Sequence, residues 1–216
     1  MTVTRLTSVL QGIGGACAET MDKKQLRRNE IIEKTIYIIY RQGYHGTGIQ
    51  ELADAAGIPK GSFYTYFESK EDYAVQALHF YHQFLKDQLL VVLKDSSIPP
   101  KERVKAFFAG NIQMLEGFHY QMGCLVGNFS EEMGDISDRL AETVDGILHA
   151  IVGDLTRCLD EAAAPGEDSR QLAEFLINSF QGAMLRMKSS RDGRPLEVFI
   201  TMMTHLLDGP ASESKG

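Results

Sequence analysis

The chain has 216 residues, 44% of them hydrophobic, which is ordinary globular composition and enough for one large or two small domains with a real core. No apolar run approaches the roughly 18 residues of a bilayer span, so the expectation is a chain without a membrane partner. The net charge of −7 is unevenly spread: residues 21–70 carry eight Lys/Arg against six Asp/Glu, and 71–216 carry thirteen against twenty-two. A slightly basic head on an acidic body gains meaning only if a phosphate-binding motif lies in the head.

Residues 1–22 read as a disordered extension, and Met21 is a natural alternative start to Met1. An Arg before an apolar stretch is a weak signal-peptide feature, but Ser8 and Gln11 break the run. Cys17, Cys124 and Cys158 are odd in number and at no metal-ligand spacing, against both a disulfide framework and a zinc site and in favour of a reducing cytoplasm.

From Lys24 to Gln42 the spacing predicts a long helix that buries Ile31, Ile32, Thr35, Ile36, Ile39 and Tyr40. Its head carries Lys23, Lys24, Arg27 and Arg28, either a phosphate-reaching cluster or a solvated basic face. Gly43 closes the helix, and Thr47 is an expected amino-terminal cap for the next one.

Ile49, Leu52, Ala53 and Ala56 then recur at helical spacing opposite Gln50, Glu51 and Asp54, and Gly57 stops the helix. Pro59 starts another, in which Phe63 and Phe67 point inward and leave Ser62, Thr65 and Tyr66 outward between Lys60 and Lys70. Two short helices crossing at a glycine-containing turn make a helix-turn-helix, whose second helix enters the major groove.

The run from Thr47 to Lys70, above all KGSFYTYFESK, resembles the DNA-binding signature of the TetR family of bacterial one-component regulators. The resemblance in detail covers roughly Asn29 to Ala77 and departs at Tyr66, where a histidine is common. It implies an all-α fold, with a three-helix DNA-binding head at residues 23–70 and a helical regulatory and dimerisation body at 71–209. It also implies that Thr47, Gly48, Lys60, Gly61, Ser62, Tyr64, Thr65, Tyr66 and Lys70 face double-stranded operator DNA. No catalytic group, metal or cofactor is implied.

Beyond Lys70, Glu71–Lys94 reads as one helix of about six turns, joined to the head without a flexible linker. His79 and His82 lie three apart on it but lack a third metal ligand. After a break at Ser96–Pro100 come a helix over Pro100–Glu116, a connector over Gly117–Gly123, a short helix before Gly134, and a long helix over Ile136–Ala164 ended by Pro165 and Gly166. Two helices over Ser169–Ser189 and Pro195–Leu207 are apolar on more than one face, which assigns them to a two-fold homodimer interface of four helices. Residues 210–216 read as a disordered tail.

The segment GCLVGNFSEEMGD, Gly123 to Asp135, resembles a subgroup of the same family that carries Gly-Cys-Leu ahead of a Glu-containing helix. Some of its members respond to quinones, aldehydes or hypochlorite, and Lys188 matches a lysine present in that subgroup. The resemblance makes Cys124 a candidate sensor whose thiolate Lys188 favours; the alternative is a small buried residue filling a helix start. Phe107, Phe108, Phe118, Tyr120 and Phe129 either line a pocket for an apolar inducer or belong to the core. The function expected is thus a DNA-binding regulator, a repressor released by a small-molecule inducer or by modification of Cys124. A helical interaction protein that does not bind DNA is the alternative. A hydrolase reading of Cys124, His119 and Glu131 has no nucleophile elbow, phosphate loop or metal motif to support it.

Overall fold

A computed structural model describes residues 22–133, 137–163 and 168–209. The expectations for the extension before Asp22, for Gly134–Ile136, for the Pro165–Gly166 stop and for the tail after Gly209 lie outside these residues. Among the described residues there are nine α-helices and no strand. They are α1 (Lys23–Gly46), α2 (Ile49–Ala56), α3 (Lys60–Tyr66), α4 (Lys70–Gln88), α5 (Pro100–Gly117), α6 (Leu125–Met133), α7 (Asp138–Asp160), α8 (Ser169–Ser190) and α9 (Arg194–Asp208), with a 3-10 helix at Leu90–Lys94.

Two compact units emerge, and they do not follow a single cut at residue 70. The first takes the chain up to Asp87 and returns for Leu125–Ile147; the second holds Gln88–Cys124 and Leu148 onward. Thus α6, which follows Cys124 directly, belongs with the helix-turn-helix.

In the first unit, Ile31, Ile32, Ile36 and Ile39 of α1 are almost fully buried, as are Leu52, Ala53, Phe63 and Phe67. Phe63, Phe67 and Tyr73 form a ring cluster with centroids 5.0 to 5.9 Å apart, each ring adding on the order of 2 kcal/mol by burial. The Tyr73 hydroxyl sits 2.8 Å from Thr35 Oγ1, which itself donates to the Ile31 carbonyl. That chain satisfies the polar atoms of a buried pair.

In the second unit, Phe108 on α5 meets Phe180 of α8 at 5.1 Å and Phe199 of α9 at 4.9 Å. The buried Arg103 guanidinium donates to the carbonyls of Ile98 and Leu93, at 2.8 and 3.0 Å, and to Glu161. Cys158 is buried beside it and donates to the Pro100 carbonyl at 3.4 Å. Burial raises this thiol against the opposing pull of Arg103, which keeps it in the unreactive protonated form.

Two local expectations are corrected. The helix expected to run to Lys94 ends at Gln88 and tightens to 3-10 geometry over Leu90–Lys94; three residues per turn bring Leu90 and Leu93, both buried, to one side. Thr47 is not the cap of α2, whose N-cap is Gly48 without a side-chain bond. The Thr47 hydroxyl is buried and donates 2.7 Å back to the Gly43 carbonyl.

Candidate DNA-reading face and signal site

The reading face follows from how α2 and α3 are folded. Gly57 caps α2 in the left-handed conformation (φ 70°, ψ 35°), and its N–H returns to the carbonyls of Ala53 and Asp54. Pro59 then precedes α3, with φ fixed at −59°. With Phe63 and Phe67 turned fully inward, the 3.6-residue repeat leaves the opposite side of α3 bare. Lys60, Gly61, Tyr64 and Thr65 are exposed there, and Ser62 and Tyr66 are half-buried. Tyr64 keeps about half its surface in solvent. A Cβ at Gly48 or Gly61 would meet nothing within 4 Å, so the backbone at both positions is open to a flat partner.

The far end of α3 is held from α1. Arg28 Nε donates 2.7 Å to the carbonyl of Tyr66, the last residue of α3, and Arg28 also donates to Gln25. A guanidinium at a helix carboxyl end satisfies an orphan carbonyl and opposes the negative pole of the helix. Of the basic cluster on α1, Lys23 and Lys24 are exposed. Arg27 pairs with Glu30, and that bond is the main cause holding its pKa above the ordinary value.

Lys70 has its ammonium 4.3 Å from the centre of the Tyr44 ring, a cation–π contact. Burial lowers its pKa, opposed by the charge of Glu132. The Tyr44 ring also stands edge-on to Phe129 of α6 at 6.1 Å, and burial, followed by Glu71, raises its phenol. Phe129 is therefore part of the first unit, packed under the approach to α2.

The other aromatic pocket candidates lie in the second unit. Phe107 and Phe108 are buried on α5 and touch at 4.9 Å. Phe118 and Tyr120 lie on the connector, where His119 and Tyr120 adopt left-handed backbone (φ 52° and 58°), each at a cost of about 1 kcal/mol. The Tyr120 hydroxyl rests over Gly193 and donates 3.4 Å to Glu116. A cavity of about 230 Å³ in this unit is lined elsewhere, by Leu159, Leu172, Leu206 and Leu207 with Lys101 and Asp168.

Cys124 is a free, half-buried cysteine immediately before α6. Lys188 is exposed in the last turn of α8, next to buried Met187. On the outer faces of α8 and α9, Phe175, Leu185, Val198, Met202 and Leu206 each leave about half their surface in solvent. Gly182 adds bare backbone to the same helix pair, since a Cβ there would meet nothing within 4 Å. Such a stripe on one unit is unfavourable unless something covers it. Among the described residues no group of three or more His, Cys, Asp or Glu is arranged to hold a metal, and no helix is long and apolar enough to cross a membrane.

The sequence reading missed the Arg28–Tyr66 contact and the placement of Glu132 beside Lys70. Both join residues far apart in the chain, and neither has a local pattern that announces it.

Known proteins are similar to this chain in sequence and in fold. Residues 31–77 match the family described as bacterial regulatory proteins, tetR family, and residues 100–203 match the tetracyclin repressor-like C-terminal domain. The chain is 37% identical over 185 residues to the HTH-type transcriptional repressor DhaR of Mycobacterium sp. (strain GP1), covering 83% of this chain and 91% of that one. It is 26% identical over 190 residues to the HTH-type transcriptional repressor NemR of Escherichia coli (strain K12), covering 85% and 95%. Regulatory protein TetR from Rhodobacter sphaeroides superposes with a TM-score of 0.75 at 28% identity, over 82% of this chain and 97% of that one. The reduced form of E. coli NemR gives 0.75 at 26%, over 86% and 99%. With a helix-turn-helix head, a helical body and matches to both halves, the chain belongs to the TetR family of bacterial transcriptional regulators.

Proposed function

We propose that this protein is a cytoplasmic homodimeric repressor that binds operator DNA through α3 and is released by a small electrophilic or oxidising inducer acting at Cys124. The observation that carries the DNA reading is the two-sidedness of α3, with Phe63 and Phe67 fully buried and Lys60, Tyr64 and Thr65 exposed. Small polar side chains permit close approach to base edges, whereas Lys60 and the tyrosine hydroxyls fix phosphates. Gly48 and Gly61 let the backbone approach, Ser62 and Tyr66 flank the contact, and Thr47 and Lys70 shape its borders. The names of DhaR and NemR as repressors support the sign of the regulation.

Dimerisation through α8 and α9 brings two heads to half-sites about one helical turn or a multiple apart, so a small change in head spacing breaks the match. The exposed apolar stripe on these helices supports that interface. For the signal, Cys124 combines a free thiol, partial exposure and a place at the head of α6. Attack of its thiolate on a quinone forms one C–S bond, and the quinone is reduced to a thioether-substituted hydroquinone with proton transfer to its oxygens. Lys188, exposed in the last turn of α8, is the proposed second residue of that signal site. A non-covalent inducer held in the second unit by Phe107, Phe108, Phe118 and Tyr120 is the second reading, without Phe129, which packs on Tyr44 in the first unit; it is favoured only if the thiol proves dispensable.

A gel-shift series on DNA upstream of the gene, with and without benzoquinone, tests this. The expected result is a discrete shift lost on quinone treatment and a Cys124→Ser variant that binds but no longer responds. A full response in that variant moves the signal to the non-covalent pocket.

A further inference from the structure

The α1–α2 turn is built around a carboxylate from another helix. Gly43 breaks α1 with φ 76°, and a Cβ at this position would collide with the carboxylate of Glu132. Glu132 Oε2 accepts the backbone N–H of His45 at 3.3 Å. Two residues on, Thr47 closes the same turn onto the Gly43 carbonyl. Tyr44, between them, is covered by Phe129 from the same face of α6 and by the Lys70 ammonium. All of these residues lie in the first unit.

We infer that Glu132 is a positioning residue for operator recognition: by occupying the space that Gly43 leaves and accepting the His45 N–H, its carboxylate sets the entry of the chain into α2 and hence the pose of α3. The inference rests on the reading of this chain as an operator-binding protein. Gly43 supplies both the left-handed backbone and the missing side chain that the carboxylate needs. Two further bonds tie the following segment to the start of α4: Ser137 Oγ donates to Glu71, and Arg139 donates 2.9 Å to Asp72. Asp72 in turn accepts the N–H of Glu68 at 3.1 Å, at the exit from α3. Glu132 therefore holds the reading pair at its entry, and Ser137 and Arg139 hold the start of α4 at its exit.

The test compares unmodified wild type with Glu132→Gln, which keeps side-chain shape but weakens the acceptor, and with Glu132→Ala. Anisotropy of a labelled upstream fragment measures specific affinity, and a scrambled duplex of equal length measures non-specific affinity. We expect E132Q and E132A to weaken specific binding roughly tenfold or more, the size set by losing a charged hydrogen bond. Non-specific affinity and the salt slope should stay unchanged, because the Glu132 carboxylate faces the His45 N–H and Gly43 and not a phosphate. Equal specific affinity in wild type and both variants overturns the inference. A wild type that binds no upstream fragment instead sinks the operator reading on which it rests. If E132A fails to fold by circular dichroism, E132Q decides the outcome.

Discussion

Arg28 and Tyr66, 38 residues apart, are joined by a 2.7 Å bond from the guanidinium of α1 to the last carbonyl of the reading helix. A residue that the sequence offers as a phosphate ligand is thus engaged in fixing α3. Replacing Arg28 by Met should weaken operator binding roughly tenfold while the dependence of affinity on salt keeps its slope. A slope reduced by about one would show instead that Arg28 neutralises a phosphate. Lys should not restore affinity, because one ammonium cannot serve both Tyr66 and Gln25 in the same fork geometry.

Two glycines of the head have positive φ but different surroundings. Gly57→Ala introduces a Cβ into open space and should cost about 1 kcal/mol from left-handed strain alone. Gly43→Ala adds a collision with Glu132 to a steeper backbone strain, since φ 76° with ψ 176° is open essentially to glycine alone, and should cost more, on the order of 2 to 3 kcal/mol. Urea denaturation of the two variants beside wild type measures the difference, and equal losses would contradict the packing described around Glu132.

The helices of the head were legible because their evidence is local. Leu52, Ala53 and Ala56 repeat at helical spacing, Gly57 marks the turn, and Phe63 and Phe67 share one side of the next helix, so pattern alone orients the reading face. The helical body and the apolar faces of α8 and α9 could be read in the same way. The 3-10 segment at Leu90–Lys94 could not, since its apolar run continues that of α4 and only burial of Leu90 and Leu93 selects the tighter turn. Nor could the surroundings of Lys70 or the task of Thr47. A lysine beyond a reading helix looks the same whether it meets phosphate or the Tyr44 ring, and a threonine before a helix looks like a cap even when its hydroxyl turns back to Gly43.

Stability in alkali should report Tyr73. Burial pushes this phenol well above its ordinary value of about 10. The unfolded phenol gives up its proton near that pH whereas the folded one keeps it. Its contribution is therefore whole below about pH 10 and is lost as pH rises beyond, by roughly 1.4 kcal/mol per pH unit until the folded group titrates. Tyr73→Phe should cost about 1 kcal/mol at neutral pH, through the lost bond to Thr35, and should unfold less steeply above pH 10. An unchanged alkaline limb would assign the loss to other groups.

The outer stripe of α8 and α9 makes a prediction about assembly. Phe175→Glu combined with Leu206→Glu places two charges where large apolar side chains now lie half-exposed. Burying them unpaired in an interface should shift the protein to monomer by light scattering at micromolar concentration, with little change in helical content. Operator affinity should fall by more than a hundredfold as the second half-site is lost. A dimer that persists in the double variant would place the interface elsewhere.

Whether α3 reads an operator is decided by a footprint of the unmodified protein across the DNA upstream of its own gene. One protected segment with two inverted half-sites about one helical turn or a multiple apart is expected. Protection should disappear when Tyr64 and Thr65, exposed on α3, are both replaced by Ala. Uniform, salt-sensitive protection without a preferred segment, or a footprint unaltered by the double substitution, would contradict it.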